Sequence, residues 1–376
     1  MKIAVVSETF LPSINGVTGS VQQVLRHLSR TSHEARVFAL GDPPPECEGF
    51  DVVNLPSVGL PGHRHVRVPV PVPAVASGSL HRRLAEFRPD VLHLASPFTL
   101  GGPVMRVAGS LGIPVVAIYQ TDVAGFFRRY GLTAASTSAW RHIRSVHGRA
   151  QLTLAPSPTS AQELVSHDIP RVEVWPRGVD TAAFSPTHRD ADLRARFSPD
   201  GEVVVGFVGR LAAEKQVEDL AVLSDLPGVQ LVVIGDGPER ERLERRLPGA
   251  HFTGSLSGLA LSRAVASLDV MVHTGPFETF CQAAQEAMAS GVPVVAVGAG
   301  GLRDLVDHSR TGWLYPQGDL AALRARVVDL VGDQAKRVAM GVAAHQAVRA
   351  RTWPVVCDRL LRHYEQAASV AAVRGA

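Results

Sequence analysis

The chain has 376 residues, 45% of them apolar, and a formal charge of +3. That length suits two domains with well-filled cores, and so small a charge excess lacks the concentrated basic stripe of a nucleic-acid binder. Three widely spaced cysteines, Cys47, Cys281 and Cys357, leave no disulfide framework and no CxxC metal site.

The first residues run directly into an apolar strand pattern, so no secretory leader is expected. The longest apolar stretch, 66–76, is broken by prolines and falls short of the roughly 20 residues that a membrane span needs. A cytoplasmic protein is the expectation. Residues 1–185 hold 17 Lys+Arg against 13 Asp+Glu, and the remainder 21 against 22. The basic excess of the first half would suit peripheral contact with an anionic membrane through Arg64, Arg67, Arg82, Arg83, Arg128 and Arg129; ordinary surface charge is the alternative.

In chain order, short apolar runs alternate with helical periodicity, the pattern of βα units and parallel sheets. The first series predicts strands over 2–7, 35–40, 91–95, 114–119, 152–155 and 172–175, with helices over 17–30, 80–87, 104–111, 135–148 and 160–167. Residues 41–79, rich in Pro and Gly, are expected to be irregular apart from one short strand at 51–55. After a break at 178–186, a second series predicts strands over 202–208, 229–234, 250–252, 270–273, 293–297 and 313–315. Helices are expected between them at 216–223, 238–246, 258–267, 280–290 and 302–307, and three more close the chain at 320–330, 334–348 and 353–368. The fold class is therefore α/β, with two doubly wound domains facing a central cleft. The expected boundaries are 1–178, 179–352 and a final helical segment, 353–376, that crosses back to the first domain. Ligands of such sheets bind beyond the carboxyl ends of the strands.

Past the strand at 202–208 come Gly209-Arg210 and Glu214-Lys215. Lysine occurs only three times in this chain, against 35 arginines. A compact ammonium at Lys215 with the planar fork of Arg210 suits a phosphate, while salt bridges to Glu214 or Glu218 are the plainer reading. The turn Gly235-Asp236-Gly237-Pro238 could offer backbone N–H groups to an anion, as many α/β loops could. The segment Gly275-Pro276-Phe277-Glu278-Thr279-Phe280-Cys281-Gln282, followed by Glu286, opens a helix whose free N–H groups would face the cleft, with Thr279 or Glu278 as its cap. Glu278 and Glu286 stand about two turns apart, so their carboxylates would reach different hydroxyls of one elongated ligand; solvated helix glutamates are the alternative. In the first half, Gly16 would let backbone approach a phosphate. Gln120 and Asp122, at the end of the strand 114–119, lie where a sugar would sit, although a turn role suits Asp122 equally. His93, in the strand 90–94, could approach the cleft, and a packed, hydrogen-bonded core histidine is the plainer reading.

These residues resemble the retaining GT-B glycosyltransferases of family 4 over nearly the whole chain. The resemblance runs through Asn15-Gly16-Val17, Asp90-Val91-Leu92-His93, Ala155-Pro156-Ser157, Arg177-Gly178-Val179-Asp180, Gly209-Arg210, Glu214-Lys215 and the pair Glu278 and Glu286. Tyr119-Gln120-Thr121-Asp122 and Trp353-Pro354-Val355-Val356-Cys357 are similar to actinobacterial α-mannosyltransferases that use GDP-mannose to build glycolipids.

The resemblance implies a metal-independent enzyme without a cofactor, whose partners are a nucleotide-sugar donor and a glycosyl or lipid-linked acceptor. Arg210 and Lys215 would neutralise the donor diphosphate, Glu278 would hold the donor sugar and Glu286 the ribose. Thr279 and the backbone of Phe280 and Cys281 would support the diphosphate, with Gly16 contributing from the first domain. The base would lie near Gly235-Asp236-Gly237 and Gly254-Ser255-Leu256, and Gly209 would belong to the donor site. Many relatives carry a histidine where this chain has Gln120, so Gln120 and Asp122 are assigned to sugar positioning rather than proton transfer. A UDP-sugar donor on the same fold and a nucleotide-sugar-binding module without turnover are the competing readings.

Overall fold

The structure is a computed structural model and describes residues 1–13, 15–60, 63–69, 73–95, 97–125 and 133–375. The chain divides into two compact units, one formed by Met1–Arg177 with Trp353–Ala376 and the other by Gly178–Thr352.

The first unit contains β1 (Lys2–Ser7), β2 (Glu34–Leu40), β3 (Glu46–Cys47), β4 (Phe50–Leu55), β5 (Ser57–Leu60), β6 (His63–Pro69), β7 (Val91–Leu94), β8 (Val115–Ile118), β9 (Leu152–Ala155) and β10 (Val172–Val174). Eight of these form one sheet in the order β10-β9-β8-β7-β1-β2-β4-β3. The central strands β1, β7 and β8 are nearly continuous buried runs, because the period-2 alternation sends their residues into two different cores. In β1, Ile3 and Val5 enter one core and Ala4 and Val6 the other. The first of these cores includes one face of the terminal helix, Trp353–Gly375. Trp353, Val356, Cys357, Leu360, Tyr364 and Ala367 follow helical spacing and are buried there. Two polar contacts fix this helix to the sheet. The indole N–H of Trp175 donates to the Val356 carbonyl at 2.9 Å, and the Nδ1 of His93 and the hydroxyl of Tyr364 lie 2.6 Å apart.

Residues 41–79 depart from the sequence expectation. The expected strand is β4, and it is joined by an antiparallel partner, β3, and by the antiparallel β5–β6 pair. The next helix begins at Pro73 rather than at residue 80, with proline in a first-turn position where its missing N–H costs nothing.

The second unit contains β11 (Val203–Val208), β12 (Val229–Ile234), β13 (His251–Gly254), β14 (Val270–His273), β15 (Val294–Val297) and β16 (Gly312–Tyr315). All pairs are parallel, in the order β13-β12-β11-β14-β15-β16. This is the 3-2-1-4-5-6 order of the doubly wound nucleotide-binding sheet, which places the switch point between β11 and β14. A short helix at Ala191–Phe197, capped by Asp190, precedes β11 and was not expected from the sequence. The segment expected as a helix at 216–223 is a 3-10 helix, Val217–Leu223. Gln216 interrupts it with φ +50°, and that break separates the turn carrying Lys215 from the helix after it.

Burial holds His93 neutral by pushing its pKa down to about 3, with the nearby Arg177 charge acting in the same direction. Its ring is therefore a structural group paired to Tyr364. Tyr364→Phe leaves a buried nitrogen without a partner and is expected to cost about 1–3 kcal/mol, read by urea denaturation; an unchanged midpoint would remove this anchoring role.

Candidate active site

The loops after β11 and β14 meet at the switch point. Past β11, Arg210 is exposed and its Nη2 donates to Glu214 Oε1 at 3.1 Å. The plainer reading thus describes Arg210, since an exposed pair of this kind contributes little. Lys215 behaves differently. It ends the 3-10 turn Ala213–Lys215, and its Nζ binds Glu278 Oε1, not Glu214 or Glu218. The second loop is tied to the first by the Thr274 hydroxyl, which donates to the Lys215 carbonyl at 2.8 Å.

Glu278 has a second partner. The Nε2 of His273, the last residue of β14, lies 3.1 Å from the same Oε1. The side chains of His273, Glu278 and Lys215 are 2%, 16% and 25% exposed, so each charge depends on the others. Burial alone would raise the Glu278 pKa, but Lys215 and His273 hold its carboxyl well below the usual range. Burial opposes charge on Lys215, and Glu278 overrides it and raises the pKa. Burial likewise opposes protonation of His273, yet Cys281 and Glu278 push its pKa up to about 9. All three groups are held in their ionised forms.

The helix after this loop is Gln282–Ala289, and Cys281 stands at its N-cap in the left-handed region with φ +81°. This corrects the expected start near residue 280 and its expected cap. Neither Thr279 nor Glu278 caps the helix, and no side chain bonds its first turn from the cap position. Thr279 is half-buried, and Phe280 and Cys281 are buried. The carbonyl of Glu278 accepts from Gly301 N–H at 2.7 Å. A Cβ on the neighbouring Gly300 would stand 2.3 Å from that carbonyl, so only glycine lets the loop after β15 close against this segment.

Glu286 projects from the second turn of the helix. Burial raises its pKa to about 7, opposed by a hydrogen bond from Gln282 and assisted by Asp180. The Gln282 amide donates to Glu286 Oε1 at 3.3 Å and to the Gly178 carbonyl at 3.0 Å. Nothing in the residue pattern had singled out Gln282 or His273. The signal available for His273 was a titratable residue closing an apolar strand.

Gly209 and the proposed base-binding residues lie at the ends of the first three strands of the sheet. Gly209 follows β11 and donates to the Ile234 carbonyl at 3.0 Å, and Gly235 donates to the Gly254 carbonyl at 3.0 Å. A Cβ on Gly235, which has φ +144°, would stand 1.9 Å from the Gly209 carbonyl oxygen, so the turns pack with no room for a side chain. Asp236 is exposed and bonds Gly237 N–H at 2.7 Å and Arg240 at 3.1 Å. Leu256 is half-buried beyond β13.

In the first unit, Asn15 caps the helix Gly16–Leu28 through its side-chain oxygen, 2.9 Å from Val17 N and 3.0 Å from Thr18 N. Gly16 is exposed at that start. The amide of Gln120 is engaged at both ends, donating to the Ala95 carbonyl at 2.6 Å and accepting from the buried Arg177. Asp122 accepts from Gly125 N–H at 2.6 Å and from the Tyr119 hydroxyl at 3.3 Å, a turn-forming role. Glu8, at the end of β1, accepts from Leu100 N–H at 2.6 Å, and burial raises its pKa to about 7. Arg128 and Arg129 of the expected basic face lie outside the described residues. Among the described residues, His273, Glu278 and Cys281 have ligand-type atoms within 4.8 Å of one another; Glu278 already neutralises two of the protein's own cations there.

Residues 14–183 match the family described as Glycosyltransferase Family 4, and residues 188–347 match Glycosyl transferases group 1. The chain is 50% identical to a GDP-mannose-dependent alpha-mannosyltransferase of Mycolicibacterium smegmatis, with 100% of both proteins covered. It is 46% identical to a protein of the same description from Mycobacterium tuberculosis, covering 100% of this chain and 97% of that one. Among solved structures, Anabaena Alr3699/HepE in complex with UDP superposes with a TM-score of 0.81 at 19% identity, over 97% of this chain and 100% of that one. The fold is GT-B, with two Rossmann-like domains, and the chain belongs to the family 4 glycosyltransferases.

Proposed function

We propose that the protein transfers mannose from GDP-mannose, with retention of configuration, to a glycosyl or lipid-linked acceptor. The observation that supports this reading most is the charge arrangement at the ends of β11 and β14. Glu278 has two cationic partners, Lys215 and His273, beside a helix start that lacks a side-chain cap. Lys215 keeps further N–H donors for a diphosphate, and the helix start adds positive potential there. Both cations bind Oε1 of Glu278, which leaves Oε2 to accept from sugar hydroxyls.

In this reading Lys215 and Arg210 stabilise the departing GDP, and Arg210 exchanges its weak exposed pairing with Glu214 for the donor phosphates. The bond from the anomeric carbon to the phosphate oxygen breaks, and the acceptor oxygen bonds to the same face. The acceptor proton passes to the departing phosphate oxygen, so no protein nucleophile is required. Gln120 and Asp122 act by holding the loop 119–125 in shape. Glu286 receives the ribose hydroxyls. The turns carrying Asp236, Gly237, Gly254 and Leu256 receive the base. The descriptions of the two mycobacterial relatives favour guanine over uracil, and mannose over other hexoses.

No helix of the described residues is long and apolar enough to cross a membrane. A lipid-linked acceptor would therefore be met at a membrane surface, and stronger sedimentation with anionic than with neutral liposomes is the expected outcome.

Nucleotide release should appear with GDP-mannose and rise with a lipid extract, without added metal, and should be weak with GDP-glucose, UDP-glucose and UDP-N-acetylglucosamine. Release from a UDP-sugar alone would replace the donor, and no release at all would favour a binding module. Lys215→Ala is expected to lower kcat by about 100- to 1,000-fold in a folded protein; unchanged transfer would remove Lys215 from the diphosphate.

Glu286 generates a pH prediction with a definite sign. Below about 7 its carboxyl is protonated and above about 7 it is the anion that accepts ribose hydroxyls. The esterified diphosphate of GDP-mannose keeps its charge through this range. Calorimetric affinity for GDP-mannose should therefore rise from about pH 6 to about pH 8, and Glu286→Gln should weaken binding and remove the slope. A wild-type affinity independent of pH would take the ribose from Glu286.

A further inference from the structure

His273 is an expensive residue for its place. It closes the apolar strand β14, is 1% exposed and packs its ring 5.7 Å from that of Phe207. A packed aliphatic side chain would satisfy this position without any polar group. The imidazole instead brings two nitrogens into the interior. One of them, Nδ1, is buried with no hydrogen-bond partner, a condition that subtracts from stability. The other, Nε2, lies 3.1 Å from Glu278 Oε1, with the Cys281 thiol close to the same two side chains.

The direction of this contact matters. Lys215 reaches Glu278 on a flexible stem with three rotatable donors, so it neutralises the carboxylate without fixing its plane. The imidazole ring is rigid and grows from the strand itself, at a residue paired with Ala296 of β15. Its contact sets where Oε1 lies and, through the planar carboxyl group, where Oε2 lies.

We infer that His273 is a positioning residue for sugar transfer, a rigid donor that aims the Glu278 carboxylate at the hydroxyls of the donor sugar. The inference rests on the assignment of Glu278 to that sugar. His273 does not touch the donor. It acts through Glu278 alone, and its removal should affect the sugar and spare the nucleotide.

The test compares His273→Leu, His273→Gln, Glu278→Gln and the double variant His273→Leu/Glu278→Gln. Each is measured for kcat/KM with GDP-mannose and for calorimetric affinity toward GDP, which lacks the sugar. His273→Leu should lower kcat/KM by roughly 10- to 100-fold while GDP affinity stays within about twofold. His273→Gln keeps a donor near Glu278 and should recover most of the loss. In the Glu278→Gln background the further loss from His273→Leu should vanish, the sign of two residues acting as one unit. A purely structural histidine would give the same loss in both backgrounds and would weaken GDP binding with it, which overturns the proposal. So would an unchanged kcat/KM in His273→Leu, or failure of both His273 variants to fold, which would reduce His273 to a core residue. Should Glu278→Gln itself transfer normally, the assignment of Glu278 falls first and this inference with it.

Discussion

A carboxylate taken out of water keeps its charge only if other charges are brought to it. Glu278 is in that position, and much of the second unit is arranged around it. Its two cations are Lys215, 63 residues before it in the chain, and His273, from the strand directly before its loop. They meet because the 3-2-1-4-5-6 strand order makes β11 and β14 neighbours. The Thr274 hydroxyl and the Lys215 carbonyl bind the two loops at the level of the backbone. Gly300 and Gly301, after β15, close over the Glu278 backbone from the third side. Three strand ends thus converge on one residue, two at its carboxylate and the third at its backbone carbonyl.

The strand order also explains why the other turns are built from glycine. The ends of β11, β12 and β13 lie side by side, and their turns hydrogen-bond to one another through Gly209, Gly235 and Gly254. Backbone packed that closely leaves peptide surface, rather than side chains, at the carboxyl edge of the sheet. The charged groups stand beside this edge, at the ends of β11 and β14.

Much of this was legible in the sequence. Twelve strand positions followed from apolar runs, because both faces of each parallel sheet are covered and the runs are nearly continuous. Lys215 stood out through the scarcity of lysine, and Glu278 and Glu286 through their spacing on a helix. The misses have physical causes. The β5–β6 pair is punctuated by prolines and glycines, which masked its alternation. The left-handed Gln216 depends on tertiary packing that overrides residue preference, and so does Cys281, which moved the helix start to Gln282. His273 was invisible because its meaning depends on which residue lies across from it, and a strand pattern does not carry that. For Gln120 and Asp122 the pattern could not give the partners: Gln120 bonds the Ala95 carbonyl and Arg177, and Asp122 bonds Gly125 N–H and the Tyr119 hydroxyl.

Buried ionisable groups fall into two regimes, one seen in the first unit and the other at the ends of β11 and β14. In the first, burial wins. Glu8 is pushed up to about 7, and His93 and His147 down to about 3, all toward the neutral form. These groups are held by hydrogen bonds to Leu100, Tyr364 and Thr153, and they behave as parts of a packed interior. At the ends of β11 and β14, Coulomb attraction wins, and Lys215, His273 and Glu278 are all shifted toward the charged form. Stability alone would favour the first solution everywhere, since an apolar group of similar size often replaces a buried ion pair without loss. Keeping three charges out of water is worthwhile where a charged ligand is to arrive and solvent is to be excluded around it. Glu286, one helix turn beyond Gln282, stands between the two regimes. Its carboxyl is raised to about 7 because burial, assisted by Asp180, outweighs the hydrogen bond from Gln282.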